Sequence, residues 1–364
     1  MSNFETRELA DFLRSAFAAQ LIDAMPEPAV LVAADDRVAA ANAPALRLLP
    51  GVRVGDPLIL ALRAPDIVDA LRRVMASGET ETVHWSERVP VERLFDVTAA
   101  ALPTSAGNVV ATLLTLRDLT ELRRAERMRV DFVANASHEL RTPLASLLGF
   151  IETLQGSARE DASARDRFLH IMREQGRRMA RLIEDLLSLS RIEQKEHVRP
   201  EDVVDLAQTV RSVVDSLSPM AADLGVELTV NAAQPVLVLG DRDELVRVAE
   251  NLIENAIKYG VRTDAENGQL VAIAVSATEK NATLSVRDHG HGIAPEHLPR
   301  LTERFYRIDA VQSRAKNGTG LGLAIVKHIL TRHRGKLTVT SRLNQGACFV
   351  ASVPLHVRKN HKLQ

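Results

Sequence analysis

Phe132-Val133-Ala134-Asn135-Ala136-Ser137-His138-Glu139-Leu140-Arg141-Thr142-Pro143-Leu144 is the stretch that decides how this chain is read. Val133, Ala136, Leu140, Leu144, Leu147, Ile151 and Leu154 recur at spacings of three and four. That is the apolar stripe of an amphipathic helix, long enough for helix-on-helix packing. His138 lies two positions from both Ala136 and Leu140, which is roughly 200° around a helix, so it points away from the stripe into solvent. Thr142 follows at i+4 and shares that exposed face. Pro143 has no N–H, so the carbonyl of Glu139 loses its helical partner and a bend is expected there. An exposed imidazole beside a carboxylate is equipped as a nucleophile. Glu139 can hold the proton of one ring nitrogen and leave the lone pair of the other free to attack.

Length and composition set bounds. The 364 residues suffice for two or three domains, and 46% hydrophobic with 26% charged residues describes globular protein rather than disorder. A net charge of −1 gives no electrostatic reason to bind nucleic acid. The single cysteine, Cys348, excludes an internal disulfide and fits a reducing compartment. Residues 97–116 carry no charge, but Pro103, Thr104, Ser105, Gly107 and Asn108 in their middle read as a turn between strands, not a membrane span. Glu5, Arg7, Glu8, Asp11 and Arg14 interrupt any apolar run of a signal peptide. The expectation is a cytoplasmic chain, with membrane association only through an anchoring segment outside it.

Working outward, residues 1–20 read as a short amphipathic helix with Phe4, Leu9, Phe12, Leu13 and Phe17 apolar. Residues 21–118 change character. Strands are expected at 29–32 and 38–41, a helical patch from Asn42, helices at 57–63 and 66–76, then strands at 81–85, 94–101 and 108–116. Residues 119–156 form the first long helix and 157–164 a polar loop. Phe168, Ile171, Met179, Leu182, Leu186 and Leu189 mark a second helix at 166–193. Two antiparallel helices with one apolar stripe each cannot close a core, so two copies forming a four-helix bundle, a homodimer, are implied. Residues 200–356 mix helices at 201–217, 241–260 and 320–334 with strands at 226–231, 269–278, 282–288, 336–341 and 347–353, the pattern of an α/β sandwich. Residues 357–364 are a basic tail.

Four pieces of that last region carry chemistry. Asn251, Asn255 and Lys258 stand at i, i+4 and i+7 of one helix, where amide oxygens suit Mg²⁺ and a lysine suits phosphate. Asp288-His289-Gly290-His291-Gly292 ends a strand, with a carboxylate able to accept from an exocyclic amine and glycines that admit a base. Phe305-Tyr306-Arg307 follows. Gly318-Thr319-Gly320-Leu321-Gly322 opens a helix, whose free N–H groups attract phosphate. No Gly-Lys-Ser/Thr ends that loop, so it is not a P-loop. His289 and His291 have no matching third ligand for zinc and read as loop filling.

Together these motifs resemble a known family. His138 to Leu144 is similar to the phosphoacceptor box of two-component sensor histidine kinases, and the version from Phe132 looks most like the phosphate-regulon sensor kinases. Two strands, small helices and three strands, opened by Met25-Pro26-Glu27-Pro28 and closed by Arg117-Asp118-Leu119-Thr120-Glu121, resemble a PAS domain. The four nucleotide pieces, in this order, resemble the N, G1, F and G2 boxes of the Bergerat-type ATPase domain. The fold class implied is multidomain α+β: a PAS-like domain at 21–118, a helical hairpin at 119–196 that dimerises as a four-helix bundle, and an α/β sandwich ATPase domain at 200–356. The resemblance implies ATP and Mg²⁺ as cofactors. Asp288 would read the adenine amine, between Gly290 and Gly292. Asn255 would hold Mg²⁺, helped by Asn251; Lys258 would reach phosphate, Tyr259 line the base, and Gly318, Gly320 and Gly322 wrap the triphosphate. Residues 294–317, with Arg304, Arg307, Arg314 and Lys316, would form a lid, with Arg307 at the nucleotide. The reaction implied is phosphorylation of His138 from ATP, assisted by Glu139, and transfer to an aspartate of a separate response regulator. Glu139-x-x-Thr142 resembles the pattern of kinases that also dephosphorylate their regulator. A Bergerat ATPase of chaperone or repair type would lack the His138 box. A non-catalytic PAS scaffold would have lost Asn255, Asp288 or the glycines. A flavin adduct would need a cysteine in the PAS-like region, and His84 is the only histidine there for haem; a small ligand or none is expected.

Overall fold

The computed structural model describes residues 16–62, 64–87, 93–103, 109–260, 269–308 and 318–356. The seam of the expected N-terminal helix up to residue 15, Arg314 and Lys316 of the lid, and the tail at 357–364 lie outside the described residues. The chain divides into two compact units, residues 1–133 and 134–364. Among the described residues no helix is long and apolar enough to cross a membrane.

The first unit is an antiparallel sheet of five strands in the order β2-β1-β5-β4-β3. Its strands are β1 (Ala29–Ala33), β2 (Val38–Ala41), β3 (Glu81–Glu87), β4 (Arg93–Pro103) and β5 (Val109–Asp118). Helix α1 (Ala16–Asp23) precedes the sheet, and α2 (Ala43–Leu48), α3 (Leu58–Ala61) and α4 (Pro65–Ser77) lie between β2 and β3. The strands alternate: in β4, Phe95, Val97 and Ala99 turn inward, to meet Ile67, Leu71 and Val74 of α4 in the main core. A second cluster, Ile22, Leu31, Ala40 and Ala111, brings α1 onto the sheet. Asn42 is fully buried and joins these parts. Its Oδ1 caps α2 at the N–H of Ala45 (2.9 Å), and its Nδ2 donates to the carbonyls of Ile22, Met25 and Glu27. His84 is exposed on β3, with Nδ1 2.5 Å from Asp96 Oδ1, outside the core.

Helix α5 (Thr120–Gln155) begins behind Asp118, whose carboxylate accepts from the N–H of Thr120, and runs through Pro143 as one helix. Helix α6 (Ala162–Gln194) starts earlier than its apolar stripe suggests, because Asp161 caps it at the N–H of Ala164 (2.9 Å). That bond holds the exposed Asp161 carboxyl below its ordinary range. The rings of Phe150 and Phe168 meet at a tilt across the hairpin, with centroids 5.1 Å apart.

After α6 a two-stranded pair, β6 (Val203–Asp205) with β8 (Leu237–Leu239), flanks α7 (Leu206–Asp223) and β7 (Val226–Asn231). The expected helix at 201–217 is therefore a short strand followed by a helix. Asp205 decides the boundary by accepting from the N–H groups of Ala207, Gln208 and Val236. The remaining elements are α8 (Arg242–Tyr259), β9 (Gln269–Ala277), β10 (Asn281–Arg287), α9 (Gly322–Arg332), β11 (Lys336–Ser341) and β12 (Ala347–Pro354). The sheet order is β11-β12-β10-β9-β7, antiparallel except for the parallel β7–β9 pair. Helices α7, α8 and α9 pack on the sheet, burying Leu252, Ile253 and Ile257 of α8 with Val271, Ile273, Leu284 and Val286.

Candidate active site

His138 is exposed on α5, and Pro143 one turn on is buried. The hydroxyl of Thr142 donates back to the carbonyl of His138 at 3.2 Å. Glu139 does not hold the His138 ring. Neighbouring side chains on a helix diverge by ~100°, and the Glu139 carboxylate turns to two arginines instead. Its Oε2 accepts from Arg178 on α6 (3.1 Å) and from Arg307 (3.1 Å), and its Oε1 from the second nitrogen of Arg307 (3.4 Å). Arg307 thus departs from its expected place at the nucleotide. Its side chain is 8% exposed and sealed against the hairpin, where a forked guanidinium matches a half-buried carboxylate.

The nucleotide pieces converge at one end of the α8–β10–α9 layer. Asp288, at the end of β10, is buried, and its Oδ1 accepts from the N–H groups of Gly290 (2.9 Å) and Ala347 (3.2 Å). Burial pushes its carboxyl above the ordinary carboxylate range, against the pull of those two donors. Gly290 has no room for a side chain: a Cβ would come within 2.7 Å of the Gly260 Cα. Gly292 and Gly320 both hold positive φ, 68° and 73°. Gly320 also receives the N–H of Phe305 on its carbonyl (2.8 Å), joining the third motif to the fourth. Gly318 leads into this loop and Gly322 begins α9. A Cβ on Gly322 would lie 2.2 Å from Asn251 Oδ1, so the loop and α8 touch at that point.

Asn251 and Asn255 fit a hard cation. The Nδ2 of Asn251 donates to the carbonyl of Arg247 (2.8 Å), which turns its oxygen toward Gly322. Asn255 is half buried one turn on, uncommitted to any described neighbour. Two amide oxygens on one helix face beside the glycine loop are hard neutral donors that a Mg²⁺ ion would accept alongside phosphate oxygens and water. Lys258 pairs with Glu254 at 2.5 Å, and Tyr259 is 37% exposed at the end of α8. His289 sets its Nδ1 3.1 Å from the carbonyl of Leu270. Tyr306 bonds His297 Nδ1 at 2.7 Å, under Arg300 at 4.2 Å from its ring.

Sequence reasoning missed several participants. Gly260 backs Asp288, since a Cβ there would meet Asp288 Cβ at 2.6 Å; a glycine directly after a helix is a C-terminal signal that could have flagged it. Arg304 reaches Glu193 on α6 at 2.6 Å, and Asp185 on α6 bonds both Arg247 and Thr319, each at 2.8 Å. None of these pairs has a local sequence signal.

Comparison with known proteins matches the chain in three successive segments. Residues 22–124 match the PAS fold, residues 128–195 the His Kinase A phospho-acceptor domain, and residues 240–357 the histidine kinase-, DNA gyrase B- and HSP90-like ATPase family. The phosphate regulon sensor protein PhoR of Pseudomonas aeruginosa is 41% identical over 238 residues, covering 65% of this chain and 52% of that protein. The sensor protein SrrB of Staphylococcus aureus is 33% identical over 285 residues, covering 78% of this chain and 48% of that one. The chain therefore spans about half the length of these curated relatives. Among solved structures, the histidine kinase AdeS of Acinetobacter baumannii matches with a TM-score of 0.47 at 25% identity, covering 60% of this chain and 98% of that one. With the sensor, phosphoacceptor and ATPase modules following one another in a single chain, the protein belongs to the sensor histidine kinase family.

Proposed function

We propose that the chain is an ATP-dependent protein-histidine kinase that phosphorylates His138 and passes the phosphoryl group to an aspartate of a separate response regulator. The observation that carries this reading is an exposed His138 on a helix whose Glu139 bonds Arg307 of the nucleotide domain, together with the buried Asp288, the glycine loop and the Asn251 amide that meets it in that domain. A ring nitrogen of His138 attacks the γ-phosphorus, the bond to the ADP oxygen breaks, and the proton on the second ring nitrogen is lost as the phosphoramidate forms. Asp288 accepts from the adenine amine, and the loop from Gly318 to Gly322 offers its N–H groups to phosphate. Asn255 and Asn251 would hold Mg²⁺, which neutralises charge on the transferring group. Glu139 joins this chemistry once Arg307 and Arg178 release it.

Dimerisation through the hairpin fits its surface. Leu144 is 47% exposed, Ile151 38%, Ile183 45% and Leu187 49%, so the apolar faces of α5 and α6 are left for a second copy to cover. The likeness to a phosphate regulon sensor supports phosphate supply as the signal. Thr142 supports a regulator phosphatase role as well. Its proton goes to the His138 carbonyl, but its oxygen keeps lone pairs able to orient a water.

The test is labelling of the purified chain from ATP. The label should be acid-labile, alkali-stable and absent from His138→Ala; full labelling of that variant overturns the reading. Thr142→Ala should keep self-labelling while regulator dephosphorylation slows about tenfold, on the order of 1.4 kcal/mol of barrier. Equal loss of both activities would make Thr142 structural.

A further inference from the structure

Carboxylates of the hairpin hold the nucleotide domain: Glu139 takes Arg307, Glu193 takes Arg304, Glu184 lies 3.7 Å from Arg247, and Asp185 takes two partners at once. The Oδ1 of Asp185 accepts from Arg247 at 2.8 Å, and its Oδ2 from the hydroxyl of Thr319 at 2.8 Å. Those partners stand on the two walls of the nucleotide site. Thr319 lies in the glycine loop, where its oxygen also receives the N–H of Leu321 (3.3 Å). Arg247 lies one turn ahead of Asn251, which bonds its carbonyl and meets Gly322 with its own Oδ1. One side chain of α6 therefore binds the loop and the metal-side helix together, with an anionic oxygen on a hydroxyl of the loop that would wrap a triphosphate.

We propose that Asp185 is a positioning residue that competes with nucleotide: its carboxylate occupies Thr319, so that the hairpin-docked domain and a filled triphosphate site exclude one another. This rests on the reading of the glycine loop as the ATP triphosphate site. The physics is that of two anions seeking one donor set in a partly dry cleft; Asp185 is 20% exposed and Arg247 23%. A like charge beside the phosphates is repelled, and the hydroxyl proton serves one acceptor at a time. Linkage then makes the effect reciprocal. ATP weakens docking by the factor by which docking weakens ATP.

Two measurements on the full chain test this, each with an unhydrolysable ATP analogue and Mg²⁺. Asp185→Asn keeps the shape but removes the charge, and should bind the analogue about fivefold more tightly or better; Asp185→Glu should return toward the unaltered chain. A residue whose role was only to support the fold would lower affinity together with melting temperature. The second measurement needs no change at Asp185. Cysteines replacing Glu193 and Arg304, whose side-chain tips meet at 2.6 Å, can be joined by a bifunctional thiol-reactive linker that spans the two side chains and so traps the docked domain; Cys348 is buried and does not compete. The linked form should bind the analogue several-fold more weakly than the same variant left unlinked. Equal affinity in linked and unlinked forms, or unchanged or lower affinity in a folded Asp185→Asn, overturns the inference. If the unaltered chain bound no adenine nucleotide, the kinase reading would fall with it. Binding that ignores both Asp185 and the trap fells this inference alone.

Discussion

Replacing Asp288 by asparagine separates the structural use of this side chain from its chemical one. In the folded protein both protein hydrogen bonds of Asp288 end on Oδ1, from Gly290 and Ala347. An asparagine can present its single oxygen to the same two N–H groups, so the turn that shapes the pocket survives. Its NH₂ then faces the base where a carboxylate oxygen stood, and a donor confronts the donor amine of adenine. Losing a charge-assisted hydrogen bond in a buried site costs about 1.5–3 kcal/mol, or roughly ten- to a hundredfold in ATP affinity. Guanine offers a carbonyl oxygen at the equivalent position, which the new NH₂ satisfies. Asp288→Asn should therefore lose ATP affinity while its preference for ATP over GTP narrows or reverses. Calorimetric titration with both nucleotides, alongside thermal melting to establish folding, measures this. Unchanged ATP affinity in a folded Asp288→Asn would refute the base contact. The same carboxyl predicts a pH dependence. Burial raises its pKa, and protonation turns an acceptor into a donor, so ATP affinity should fall with acid at a pH above that of an ordinary carboxylate.

Arg307→Ala should leave ATP affinity undiminished while loosening the domain from the hairpin, read as slower cross-linking of cysteines at the Glu193 and Arg304 positions by a bifunctional thiol-reactive linker; a tenfold loss of affinity would return Arg307 to the nucleotide. Because Arg307 reaches Glu139 of its own chain, His138 should be served in cis. Mixed dimers of His138→Ala with Asn255→Ala chains should then carry no label, and strong labelling would show transfer between chains. Burial holds the fully buried His333 below its ordinary pKa, so the folded ring stays neutral, with Nδ1 on the carbonyl of Ile329 (2.8 Å) and Nε2 accepting from Asp241 N–H (3.1 Å). The unfolded chain takes up that proton near pH ~6.5, so this contribution to stability is complete above that value and is lost as pH falls below it. His333→Gln should flatten the acid side of the melting-temperature profile; an unaltered slope would place the sensitivity elsewhere.

The elements that sequence reading caught share a physical property: their signal is local and periodic. β2, β7 and β11 fall on the residues expected, because alternating or β-branched runs bounded by Asp35-Asp36, Gly225 or Gly335 state both type and limits. β6 and β8 are three residues each, too short to show a period, and exist through pairing with one another. Asp205 was the readable clue there, since a carboxylate before an apolar run marks a helix start. In the nucleotide pocket, sequence named the side chains and glycines but not the backbone. The N–H of Ala347, which helps fix Asp288, comes from a strand 59 positions away and has no side-chain identity to read.

The contacts that join hairpin to nucleotide domain were illegible for a stronger reason. Glu139 and Arg307 are 168 positions apart, and Asp185 and Thr319 are 134 apart. Each residue has a complete local explanation without the other: an acid beside a histidine, an arginine in a lid, a surface acid on a helix, a hydroxyl in a loop. Glu139 shows what that conceals. Its neighbour suggests a partner for the imidazole, yet helix geometry turns adjacent side chains apart, and in this arrangement its carboxylate is committed to Arg178 and Arg307. If Glu139 assists His138 as proposed, that role and its hold on Arg307 draw on the same two carboxylate oxygens, so release of the domain from the hairpin should precede the chemistry at His138.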